Sequence, residues 1–142
     1  MSLNLLRVCR FVAVLAILAT TAWLVVQPAF ADTSKYGWND WDSHAAYRYI
    51  TTLAIVKYNT LPWWNPYFCG GFPGWAYVEG ATNLVSPYFP FYLFLSTGWA
   101  LRIEMLGSTA LGCVSTYLLA GRFSQSVSLR TLVTVLFALN GR

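Results

Sequence analysis

Acidic and basic side chains capable of chemistry are gathered in two short stretches. Asn39, Asp40, Asp42 and His44 fall within six residues of one another, and Arg102 and Glu104 form a second small group. A carboxylate in either group could act as a general base, taking a proton from an acceptor hydroxyl. Asp40 and Asp42 together could hold a divalent cation, or one could push the other's pKa upward. Arg48, Arg102 or Lys57 could hold a phosphate group. Each residue also has a plainer reading. Asp40 suits a helix N-cap, Asp42 suits the positive end of a helix dipole, and His44 suits a solvated face. Arg102 and Glu104 could pair, or could snorkel to a membrane boundary. Spacing alone leaves these alternatives open.

The chain around these groups is short of polar surface. Of its 142 residues 57% are hydrophobic and only 10% charged, against about a quarter charged in ordinary soluble domains. The apolar residues come in blocks, which suits residence in a lipid bilayer better than a single soluble core. The net charge of +4 does not indicate a nucleic-acid partner, because the basic residues are scattered beside apolar blocks. Cys9, Cys69 and Cys113 lie in three different settings, which argues against a disulfide framework.

The blocks predict an all-α membrane protein. Residues 1–31 form an N-terminal anchor: Arg7 and Arg10 precede an apolar run over 11–26 that extends to 31, and about 20 residues suffice to cross a bilayer. A cleaved signal peptide is the competing reading, since Ala29-Phe30-Ala31 fits a small-x-small site, but the run exceeds the usual apolar region of about 7–15 residues. Residues 32–100 then form an outer, aromatic-rich loop with interfacial helices. Trp41, Ala45, Ala46, Tyr49, Ile50, Leu53 and Ala54 recur at helical spacing, with Ser43, His44, Arg48, Thr51 and Thr52 opposite, which predicts an amphipathic helix over 41–58. Turn signals at Asn59 and Pro62 end it.

Residues 84–96 are apolar but short and broken by Pro87 and Pro90, whereas 101–123 make a better second crossing. Basic residues favour the cytoplasmic side. If 84–96 only dip into the interface, Arg7, Arg10, Arg122 and Arg130 all lie inside, and Asp32, Asp40, Asp42, Glu79 and Glu104 all lie outside. Residues 129–142 begin a third helix but supply only about half a span, so the expectation is an N-terminal part of a larger multi-pass protein. A bacterial inner membrane with the loop extracytoplasmic is the expected location.

Three pieces carry a resemblance: Asn39-Asp40-Trp41-Asp42, Leu61-Pro62-Trp63-Trp64-Asn65-Pro66-Tyr67 and Cys69-Gly70-Gly71-Phe72-Pro73. Ser86-Pro87-Tyr88, Leu101-Arg102-Ile103-Glu104 and Tyr117-Leu118-Leu119-Ala120-Gly121-Arg122 continue it. Together they resemble the first outer loop and following helix of polytopic bacterial glycosyltransferases of the GT-C type, close to membrane proteins related to the YfhO group. The resemblance implies an enzyme that transfers a sugar from a polyprenyl-phosphate carrier to an acceptor at the outer membrane face. It implies a catalytic base at Asp42 or Asp40 and a functional glutamate at Glu104; with the outer-face clustering, Glu104, His44, Arg102 and Arg48 become the expected substrate-binding residues. The alternative is a non-catalytic membrane protein whose aromatic outer loop binds lipid or a partner protein.

Overall fold

A computed structural model describes residues 3–34, 41–67, 70–74 and 84–140. The chain is mostly helical. Five helices occur among the described residues: α1 (Leu3–Ala31), α2 (Trp41–Val56), α3 (Phe89–Phe94), α4 (Thr97–Ala120) and α5 (Val127–Leu139). The two strands β1 (Trp64–Asn65) and β2 (Phe72–Pro73) form a short antiparallel pair, with Trp64 opposite Pro73 and Asn65 opposite Phe72. Asp40, Cys69 and Glu79 lie outside the described residues.

Two compact units divide the chain, residues 1–31 with 105–142 and residues 32–104. In the first, α1 packs on α5. Val14, Leu18 and Ala22 recur every four residues along α1, so they share one face. That face meets Cys113, with Ala110, Tyr117 and Ala138 against it. Thr21 and Thr134 are tolerated in this apolar setting because each hydroxyl donates to the carbonyl four residues back, Ile17 and Arg130 respectively. Ser126 caps α5 by accepting a hydrogen bond from the Leu129 amide. Other apolar side chains of these helices stay bare: Phe11, Leu118 and Phe137 are 64%, 65% and 63% exposed. Both α1 and α4 are long and apolar enough to cross a membrane.

The second unit is built on α2. Its first turn carries Asp42, and its end is set by Asn59, whose φ of 49° is the left-handed conformation that asparagine tolerates. The Thr60 amide then returns to the Ala54 carbonyl. Part of the polar stripe of α2 is drawn into this unit. Thr51 is buried and Arg48 and Thr52 are half-buried, whereas Tyr49 is exposed. The polar groups can turn inward because they are satisfied there. Thr51 and Thr52 donate to the Tyr47 and Arg48 carbonyls, and Arg48 finds an acid.

Residues 84–96 do not form one continuous helix. After a short helical stretch at 84–85, Ser86-Pro87-Tyr88 makes a turn in which Ser86 Oγ accepts from the Tyr88 amide, and Pro90 sits in the first turn of α3. α3 packs against α2, and a two-residue link, Leu95-Ser96, joins it to α4.

Candidate functional site

Glu104 sits in the second turn of α4, and three elements supply its partners. Arg48 of α2 grips it through two parallel bonds, Nε to Oε2 at 2.9 Å and Nη2 to Oε1 at 3.1 Å. This fork-on-carboxylate geometry is the strongest form such a pair takes. Tyr92 of α3 donates its phenol to Oε2, and Ser86 of the preceding turn donates to Oε1 at 3.4 Å. The Arg48 guanidinium also lies 6.0 Å from the Tyr92 ring centre. Arg48 and Glu104 side chains are only 17% and 15% exposed, so the pair is largely withdrawn from water.

Burial alone would lower the Arg48 pKa, but the hydrogen bond and charge of Glu104 outweigh it and hold the guanidinium above its ordinary value. Burial raises the Tyr92 phenol, and its bond to Glu104 raises it further, because ionising it would set two anions side by side. A pH consequence follows for Tyr92. Its folded pKa lies above the unfolded value of 10.0, so the stabilisation it brings is full below about pH 10 and fades as pH climbs toward the folded value. Phenolate absorbance titration of the wild type against Tyr92→Phe should show the missing tyrosine to be one that ionises only at strongly alkaline pH. An unchanged late portion of the curve would contradict that assignment.

Arg102 is two residues from Glu104 but does not pair with it. Positions two apart on a helix point away from each other. Arg102 is 5% exposed, donates from Nη1 to the Gly98 carbonyl at 2.9 Å and from Nη2 to the Asp32 carbonyl at 3.3 Å, and lies 5.8 Å from the Trp99 ring. The Asp32 carboxylate is itself engaged by the Ser34 amide and hydroxyl.

Asp42 is exposed, and His44 is half-buried. Six residues separate Asp42 from Arg48, about 9 Å along the helix axis and on a different face. The structure therefore brings Arg48 and Glu104 together and sets Asp42 apart from them. Among the described residues no group of three or more His, Cys, Asp or Glu side chains could hold a metal ion. Tyr92 and Ser86 are members of the cluster that the sequence reading did not single out. A tyrosine within an apolar run, twelve residues before the acid and on the preceding helix, is the signal that was present.

A second feature borders α2. Tyr58, Trp63, Trp64 and Tyr67, with Ile50 and Leu53, line a cavity of about 340 Å³. The Tyr58 and Tyr67 hydroxyls meet at 3.4 Å across it, and Lys57 lies 5.4 Å from the Tyr58 ring. That bond and then the Lys57 charge lower the Tyr58 pKa, and the same bond raises that of Tyr67.

Compared with protein-family models, curated proteins and solved structures, the chain matches none.

Proposed function

We propose that this chain is a membrane-embedded part of a GT-C-like glycosyltransferase, inserted through α1 and α4 in a bacterial inner membrane with residues 32–100 outside. Support for insertion comes from the two long apolar helices and from the apolar side chains they leave uncovered, which would be costly in water. In the reaction, Asp42, alone or with Asp40, takes the proton of the acceptor hydroxyl. The freed oxygen attacks the anomeric carbon, and the bond from that carbon to the carrier phosphate breaks, leaving the phosphate on the polyprenol.

The observation that carries this reading is the Arg48–Glu104 clamp, which ties α2 to the start of α4 and leaves the Asp42 carboxylate exposed at the head of the same helix. Glu104 is satisfied by Arg48, Tyr92 and Ser86, so its part is to position α2. Arg48 is neutralised and Arg102 is buried on backbone carbonyls, so charge for the donor phosphate falls to groups outside this clamp. The test is sugar transfer from a polyprenyl-phosphate donor in membranes carrying the full-length protein. Asp42→Asn should abolish transfer, and full activity in a protein carrying both Asp40→Asn and Asp42→Asn would end the assignment of the base.

A second reading has one observation in its favour. Trp63 and Trp64 are 61% and 57% exposed beside the aromatic cavity, as expected of a non-catalytic loop that docks on lipid or on a partner protein. Tryptophan emission that shifts to the blue with plain lipid vesicles, in a protein without transfer activity, would favour it.

A further inference from the structure

The unit formed by residues 1–31 and 105–142 contains Arg7, Arg10, Arg122, Arg130 and Arg142 and no aspartate, glutamate, lysine or histidine. Its arginines therefore have no carboxylate side chain of their own unit to pair with. Between α1 and α5 lies a groove of about 470 Å³, within the range of about 300–1,000 Å³ that small-molecule sites occupy. Its wall is largely apolar, with Ala13 and Ile17 from α1 and Leu132 and Val135 from α5, and it also includes Ser128 and Thr131. One charged side chain, Arg10, joins that wall, and its side chain is exposed. Arg7 stands one helical turn earlier, where residues three apart are neighbours. From residue 10 to residue 17 the groove follows α1 for about 10 Å.

We propose that this groove binds an anionic phospholipid, with one acyl chain along the apolar wall and the headgroup phosphate on the Arg10 guanidinium, assisted by Arg7. Charge complementarity selects the occupant. A planar guanidinium takes phosphate oxygens through paired N–H donors. A zwitterionic lipid offers the same chain and phosphate but brings a cation that two arginines repel. A free phosphate would satisfy the charge and leave the apolar wall uncovered. The proposal rests on membrane insertion and is independent of glycosyl transfer.

Native mass spectrometry of the detergent-extracted full chain tests it, titrated with phosphatidylglycerol, with phosphatidylcholine of the same chain length, and with inorganic phosphate. Phosphatidylglycerol should be retained about fivefold more strongly, since a basic residue at an anionic lipid surface is worth about 1 kcal/mol. Arg10→Gln should erase that preference. Ala13→Trp, which fills the groove, should remove the lipid adduct while circular dichroism reports unchanged helicity. A preference that survives Arg10→Gln overturns the proposal. So does competition by inorganic phosphate at equal concentration, or a concentration-dependent dimer that closes the groove and carries no lipid. Recovery of the chain from the aqueous fraction without detergent would instead remove membrane insertion, and this site with it.

Discussion

Glu104→Gln should lower the unfolding free energy by about 2–3 kcal/mol, below the about 3–5 kcal/mol of fully buried pairs because some water reaches this one. The substitution preserves shape and removes charge. It leaves Arg48 half-buried with a neutral amide where a carboxylate had accepted two bonds, and it replaces an acceptor of the Tyr92 phenol. An uncompensated guanidinium away from water is the dominant cost. The same logic predicts the sign of a double replacement. Arg48→Met with Glu104→Leu removes both charges at similar volume and should recover most of the loss. Reversible unfolding in mixed micelles, followed by circular dichroism, measures all three proteins. Equal stability of wild type and Glu104→Gln would mean that the pair is hydrated and contributes nothing.

Gly74→Ala should cost about 1–3 kcal/mol, the range for forcing atoms into an already filled space. A methyl group at residue 74 would stand 2.0 Å from the Pro62 carbonyl oxygen, which is backbone and cannot rotate aside. Relief requires the chain at 62–64 to move, breaking the bond from the Gly74 amide to the Trp63 carbonyl. The damage would spread to α2, because Gly74, Pro62 and Trp64 line a small space with Tyr47, Ile50 and Thr51. Gly70 provides the control. Its φ of 79° is one that L side chains rarely adopt, but nothing lies within 4 Å of an added methyl, so Gly70→Ala should carry only the backbone strain of about 1–2 kcal/mol. Hydrogen exchange at the amides of 63–74 distinguishes the two. Protection lost more in Gly70→Ala than in Gly74→Ala would refute the steric argument.

The long elements of this fold could be read from the chain because each depends on local composition. Runs such as 11–26 and 101–123 are apolar over lengths that only a helix accommodates economically; α1 covers the first, and α4 covers the second as far as Ala120. The end of α2 near Asn59 was legible for a similar reason, since asparagine is among the few residues that accept a positive φ. The partners of its polar stripe were not. Periodicity groups residues by face, and Arg48 and Thr51 make specific bonds that periodicity cannot see. Glu104 was recognised as a candidate from its place at a helix start, but its partner lies 56 residues away in sequence. Nearness along the chain pointed instead to Arg102, which the helix geometry sends elsewhere. Tyr92 and Ser86 join only through the turn at 86–88, a feature of three-dimensional closure.

The all-arginine unit has a consequence for how the protein responds to its surroundings. Arginine stays ionised throughout the range in which proteins remain folded, and the unit has no aspartate, glutamate or histidine, so its side-chain charge is constant from mild acid to neutrality. The side chains that change charge between mild acid and neutrality all lie within residues 32–104: Asp32, Asp40, Asp42, His44, Glu79 and Glu104. Acidification is thus a reagent addressed to one half of the molecule, with the other half serving as an internal reference.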